Sequence, residues 1–404
     1  MASVAKRCLP FGLLAAACAW ISFANGSLGD YPVDGSLAVH ALADGDVSTY
    51  LSLHLLMGPF ATLVQAPFAA IGGNEGLVAY QWACLPCLFA VGLLGLYLAR
   101  LARGRGMSAL GSWAIAAACL INPITFAAIE AGHPEELLTG ALAIAAVAVA
   151  SQGQGRRAAL LLGLALASKQ WAVLAILPVL MALPARRLRV ALGAGAVAAL
   201  LFLPGFLTAP GEFFDTQGHA AVTERIVAPW SVWYPIGTVT TAETRFGSVD
   251  YGVDVHRAPQ LVTSGSHSLI VLLAVALPLL LALRRRRFGL APGEAMALLA
   301  LIGLLRCALD PVDNLYYHLP LLLALAGWDA VEAPRLPLRT LTATAVFFLF
   351  DYWSRTFTDF TLFNAAYVSV SLAVGVALAV VLFVPPAGRR SVRRGLDVRL
   401  TPTS

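Results

Sequence analysis

Apolar runs of membrane-crossing length recur along this chain, separated by short stretches that carry arginines or carboxylates. A helix needs roughly 20 mostly apolar residues to cross the hydrocarbon core of a bilayer. On that basis the pattern predicts about twelve helices, near 8–25, 77–99, 108–129, 136–151, 158–168, 171–184, 190–207, 267–283, 290–308, 315–331, 339–353 and 363–384. The expected fold class is an all-α polytopic membrane protein, with a single integral membrane domain over 1–404. Three regions fall outside the spans: a first loop at 26–76, a lid-like loop at 208–266 rich in aromatic and turn residues, and a tail at 385–404.

Two stretches depart from a simple alternation of spans. The segment 54–73, HLLMGPFATLVQAPFAAIGG, is long enough to cross but carries Gly58, Pro59, Pro67, His54 and Gln65. It suits an interfacial or re-entrant element better than a crossing. The run between Arg157 and Arg186 is too long for one ordinary crossing at ~1.5 Å per residue. Two short helices in a hairpin keep its flanking arginines on one side and put Lys169 at the tip, recessed within protein.

Composition agrees with a membrane protein. The chain is 59% hydrophobic and 12% charged, with a mean hydropathy of +0.78, whereas soluble domains carry about 25% charged residues. Arginine clusters such as Arg100/Arg103/Arg105, Arg156–Arg157, Arg186/Arg187/Arg189, Arg284–Arg287 and Arg335/Arg339 recur at alternate loops. By the positive-inside rule these loops and both termini are cytoplasmic, in a plasma membrane. Most carboxylates then fall on the outer side. The net charge of +5 is spread over loop ends rather than one face, which argues against nucleic acid as a partner. The cysteines lie in or beside apolar runs, and Cys84-Leu-Pro-Cys87 lacks the strand context of a redox motif.

Polar residues converge on the outer side from four places. The first loop supplies Asp30 and Asp34, and the turn after the third span supplies His133, Glu135 and Glu136. The hairpin supplies Lys169, while Arg306, Asp310, Asp313, Tyr317 and His318 bracket the loop between two late spans. Arg306 and Asp310 are one helical turn apart, a spacing that allows them to pair. A carboxylate against an apolar wall suits general-base work, because desolvation raises its pKa. Neighbouring cations suit a phosphate leaving group. No ligand set of histidines and cysteines points to a metal, and no glycine-rich phosphate loop points to a nucleotide, so no cofactor is expected.

These residues resemble the GT-C membrane glycosyltransferases, and within them the family 87 enzymes of actinobacteria that use polyprenol-phosphate mannose. The likeness rests on the acidic first loop, the polar turn before an apolar helix, the hairpin GLALASKQWAVLAILPVLMAL and the late stretch from Asp310 through Tyr316-Tyr317-His318 into a leucine run. It implies a GT-C-like bundle whose general base falls on Asp30 or Asp34, with Lys169 as the hairpin lysine and Tyr317-His318 as the aromatic–histidine pair. Gln170 stands where the family has proline, and His133-Pro134-Glu135-Glu136 replaces a more neutral turn. The implied activity is inverting transfer of a hexose, mannose in the first instance, from a polyprenyl-phosphate donor to a lipid or glycan acceptor of the cell envelope at the outer face. The competing class is a transporter or lipid flippase, in which the same ionisable residues would form a coupling site.

Overall fold

In a computed structural model of the chain, residues 2–53, 57–73, 75–219, 226–246, 249–357 and 359–384 are described. The tail 385–404 and His54 lie outside them. The described chain is dominated by helices, as the periodicity predicts. Six are long and apolar enough to cross a bilayer: Gly76–Gly104, Ala109–Glu130, Arg187–Thr208, Gln260–Arg285, Pro292–Leu309 and Phe360–Phe383. The second breaks at Asn122, whose side chain accepts from Thr125 N and donates to Ala118 O and Cys119 O.

Several of the other expected spans are shorter helices, including Pro134–Ala150, Gly155–Leu166 and Leu319–Glu332. Nearly every residue of Pro134–Ala150 and Leu319–Glu332 is buried. A helix enclosed by protein can stop short of the full hydrocarbon thickness without exposing its ends to lipid. Alanine and glycine on Pro134–Ala150 let neighbours approach closely, and a Cβ on Gly140 would lie 3.2 Å from the Leu319 and Leu323 side chains. By contrast, Arg187–Thr208 buries only Val190 and Ala194, leaving Leu188, Leu192, Leu200 and Leu207 exposed. Apolar faces of that size need a covering, and a bilayer supplies it.

Gly76–Gly104 runs through the centre, packing against Ala2–Ala24, Pro59–Ile71, Ala109–Leu120, Pro134–Ala150 and Leu319–Glu332. Its two ends identify the two ends of the bundle. Tyr80, near its start, donates to Ile129 O, whereas Arg105, just past its last turn, donates to Val331 O. The Arg105 end also gathers the Arg339 pairs with Asp329 and Glu332. The other end holds the carboxylates of the first loop and of the turn at Gly132.

Within 208–266 the chain forms the helix Pro210–His219 and an antiparallel hairpin of Thr238–Phe246 with Val249–Arg257, in which Thr238 pairs with Arg257. The helix Gln260–Arg285 then begins. Threonine, valine and tyrosine in these strands suit a pleated backbone. The preceding segment docks on the C-terminus of Pro292–Leu309. Val232 N donates to Ala308 O and Trp233 Nε1 to Leu309 O, so carbonyls that a helix end leaves unpaired find donors.

Candidate active site

The first loop enters the site through a very close backbone approach. Tyr31–Asp34 is a single helical turn with Pro32 at its start, and Asp30 N donates to Ala131 O at 2.9 Å. Tyr31 is buried with its ring 4.6 Å from that of Tyr80. Opposite it, Gly132 has φ +88°, and a Cβ there would lie 2.4 Å from Tyr31 N. Glycine alone tolerates both conditions. This contact fixes Asp30 and Asp34 against the turn that carries His133.

His133 lies just before Pro134–Ala150 and is buried. Its Nε2 is 3.6 Å from Asp30 Oδ2 and 3.8 Å from Asp34 Oδ2, while Nδ1 is 3.0 Å from Glu135 Oε1. Glu135 and Glu136 occupy the first turn of the helix, where the helix dipole favours negative charge. Lys169 reaches them from the break between Gly155–Leu166 and the 3₁₀ turn Gln170–Ala175. Its Nζ is 2.6 Å from Glu135 Oε1 and 3.7 Å from Glu136 Oε1. Pro59–Ile71 buttresses this break: Gly58 N donates to Ser168 O and Phe60 N to Ala167 O. A Cβ on Gly58 would lie 2.2 Å from Ala167 O, so the approach again demands glycine.

The chain of charge continues to the last turn of Pro292–Leu309. Arg306 Nη2 is 3.5 Å from Glu136 Oε1, and Nη1 donates to Tyr317 O at 3.3 Å. Its guanidinium lies 4.3 Å from the centre of the Tyr317 ring and 5.0 Å from that of Trp171. Trp171 in turn donates from Nε1 to Glu136 Oε2 at 2.6 Å. Thus Asp30, Asp34, His133, Glu135, Lys169, Glu136, Arg306 and Tyr317, from four separate parts of the sequence, form one connected set.

The remaining residues singled out from the sequence lie elsewhere. Arg306 pairs with Glu136 rather than with Asp310, because Asp310 follows the helix end and turns toward His267, with Oδ2 3.3 Å from Nε2. Its Oδ1 accepts from Val312 N. His318 is fully buried in a second cluster, with Nε2 2.8 Å from Tyr367 Oη and 3.6 Å from Asp313 Oδ2. His267 and Tyr367 complete these contacts without having stood out as site residues, whereas Trp171 and Tyr316 stand in the sequence beside Lys169 and Tyr317. Tyr316 lies with its ring 4.9 Å from that of His133. A histidine in a late apolar helix and a tyrosine in an aromatic-rich stretch carry no distinguishing spacing. Trp171 had a signal in its place two residues after Lys169.

Residues 56–311, more than half of the chain, match glycosyltransferase family 87. The chain belongs to this family. It is therefore a membrane glycosyltransferase, and the transporter reading gives way. No curated protein matches the chain. The match includes His133, Glu135, Glu136, Lys169, Arg306 and Asp310, whereas Asp30, Asp34, Asp313, Tyr317 and His318 lie outside it.

Electrostatics gives the members of this glycosyltransferase's site different tasks. Burial pushes the Asp34 carboxyl above its ordinary range, with His133 and Lys169 opposing part of the shift. Burial works against a charge on His133, but its hydrogen bond to Glu135 and the charge of that carboxylate outweigh it and raise its pKa. Burial likewise disfavours the Lys169 ammonium, and Glu135 and Glu136 reverse the sign. The result is a carboxyl with a raised pKa on one side and cations held by carboxylates on the other. One set of potential metal ligands occurs among the described residues: Cys307, Asp313 and His318, with ligand atoms within 4.8 Å of one another. Cys307 Sγ already contacts Tyr317 O at 3.1 Å and His318 contacts Tyr367, so two of the three atoms are engaged within the protein.

Proposed function

We propose that this family 87 protein transfers a hexose, mannose in the first instance, from a polyprenyl phosphate to a hydroxyl of a lipid or glycan acceptor. Asp34 is the general base. The acceptor oxygen attacks the anomeric carbon as its proton passes to the Asp34 carboxylate, and the bond from that carbon to the phosphate oxygen breaks. Polyprenyl phosphate leaves, and a single displacement inverts the anomeric centre. Asp30, the more exposed of the pair, orients the acceptor beside it. A carboxylate with a raised pKa is the better base at neutral pH, which favours Asp34, the less exposed of the pair.

Lys169 and Arg306 hold the phosphate. An ammonium has three donors and a guanidinium five, so each retains donors after its contacts with Glu135, Glu136 and the Tyr317 carbonyl. The two glutamates aim the cations rather than exhaust them. Asp310 and His267 flank this side, while Asp313 and His318 support it from the packed interior. In this reading the bundle has about twelve crossings, with both termini cytoplasmic and the site at the outer face. The arginine-rich loops opposite the carboxylates support that orientation.

The observation that carries the proposal is the continuous run of contacts from Asp34 through His133 and Glu135 to Lys169. Its test is transfer of labelled mannose from polyprenyl-phosphate mannose in membranes, comparing the natural chain with Asp34→Asn, Asp30→Asn and Lys169→Ala at matched protein levels. Loss of transfer with Asp34→Asn supports the assignment. Unimpaired transfer by that variant removes Asp34 as the base, and a donor inert with the natural chain removes the donor assignment.

A further inference from the structure

A cleft of about 240 Å³ opens beside the charged site, with Tyr316 on its wall. Its lining includes Glu130, Trp230, Asn314, Tyr316, Asp351 and Arg355. Two contacts join it to the catalytic end. Ala131, on its wall, accepts the backbone hydrogen bond from Asp30, and Tyr316 is the residue that lies against His133. A molecule seated here is one residue, Ala131, removed from Asp30, and none of its lining is Lys169 or Arg306.

The chemistry of the walls selects among occupants. Arg355 Nη2 is 2.7 Å from Glu130 Oε2 and Nε is 2.9 Å from Asp351 Oδ1, with Nη1 also donating to Glu130 Oε1. One cation thus faces two carboxylates, which engage three of its five donors. A phosphate would meet one cation against two carboxylates, a net negative charge, so the cleft disfavours the donor's anionic group. Carboxylate oxygens, the Asn314 amide and two aromatic side chains are instead a set that hydrogen-bonds hydroxyls and covers apolar ring faces. The limited volume fits a single sugar ring rather than a polyprenyl chain.

We propose that this cleft is the acceptor subsite and that it takes a neutral hexopyranose. This rests on the transferase reading above and adds to it a physical separation of the two substrates: phosphate on the Lys169–Arg306 side, acceptor ring between Tyr316 and the Arg355 ion pairs. Arg355 is a positioning residue that holds Glu130 and Asp351 as acceptors for the sugar hydroxyls.

The test is binding of methyl α-mannopyranoside to the full chain, purified in a detergent without a sugar headgroup, by saturation-transfer NMR. Arg355→Ala and Glu130→Gln should each weaken binding about tenfold, as expected when charge-assisted contacts are lost. Ser354→Trp, which leaves the ion pairs in place and fills the cleft, should abolish it. In transfer assays Glu130→Gln should raise the acceptor KM with little change in kcat. Binding that is undetectable in the natural chain, or indifferent to all three cleft variants, overturns the proposal. So does displacement of the hexoside by mannose 1-phosphate through Arg355, which would make the cleft an anion site. Cleft-dependent hexoside binding by a chain inert toward polyprenyl-phosphate mannose would uphold the hexose site while removing the donor assignment, so the two can fail separately.

Discussion

Two polar clusters are buried at the same end of the bundle, and they meet the problem of polarity in an apolar interior by different means. In one, Glu135, Lys169, Glu136 and Arg306 alternate in sign, each within ion-pair distance of the next. In the other, Asp313, His318 and Tyr367 sit within a cage that includes Trp230 and Phe347. Burial pushes the Asp313 carboxyl far above its usual range, so this second cluster tends toward neutrality. Removing a partner from the first strands a charge, whereas removing one from the second strands a hydroxyl or an imidazole. Only the first is continuous with the first-loop aspartates, through His133. The difference separates a cluster of paired charges from one of largely neutral polar groups.

The largest expected effect tests that link between the charged cluster and catalysis. Asp34→Asn should lower kcat about 10²–10⁴-fold, the usual contribution of a positioned general base, while Asp30→Asn should mainly raise the acceptor KM. Steady-state transfer rates with membrane-embedded enzyme decide this, and equal losses from both substitutions would blur the distinction between them. Lys169→Ala should cost about 3–5 kcal/mol of stability, as when one partner of a buried pair is removed. A Lys169→Met/Glu135→Gln double variant should recover part of that loss in thermal unfolding, because it no longer strands a charge.

A smaller effect concerns the acid limb of the rate. Burial raises the Asp34 pKa and Lys169 lowers it in part; the base acts when deprotonated, so kcat/KM should fall as pH drops through a midpoint above the ordinary value of about 3.9. Lys169→Ala removes a nearby cation and should move that midpoint to higher pH in a pH–rate profile. A shift to lower pH would show that the lysine does not act on the base electrostatically. The smallest effect on turnover belongs to the neutral cluster. His318→Phe should leave the Tyr367 hydroxyl with Asp313 Oδ2 alone and cost about 1 kcal/mol of stability, with much less change in kcat than Asp34→Asn. A loss as large as that of Asp34→Asn would place His318 in the chemistry instead.

Much of this arrangement is legible in the chain because a bilayer imposes strong rules. Arginines at alternate loops and a lysine in an otherwise apolar stretch need no structure to be noticed, and Lys169 does lie at a break between short helical segments. Glu135 and Glu136 are marked by their place at the start of an apolar helix. The pairing of Arg306 was not legible. A four-residue spacing suggested Asp310, but the helix ends there and its neighbour Glu136 lies 170 residues away in sequence. The β-hairpin was equally hidden, in a loop whose aromatic and turn residues obscured two strands.

By itself the sequence determined that this chain is a helical membrane protein, that its basic loops alternate with its acidic ones, and which few ionisable residues stand in apolar surroundings. Those features follow from the cost of placing charge and unpaired backbone in lipid, a cost levied residue by residue. Only the tertiary structure decided which residues meet. Gly132 and Gly58 allow backbones to approach closely enough to bring Asp34 and Lys169 to opposite sides of the His133–Glu135 pair. The packing of Pro292–Leu309 then turns Arg306 toward Glu136. Such contacts depend on distances between segments remote in the chain, and no local spacing encodes them.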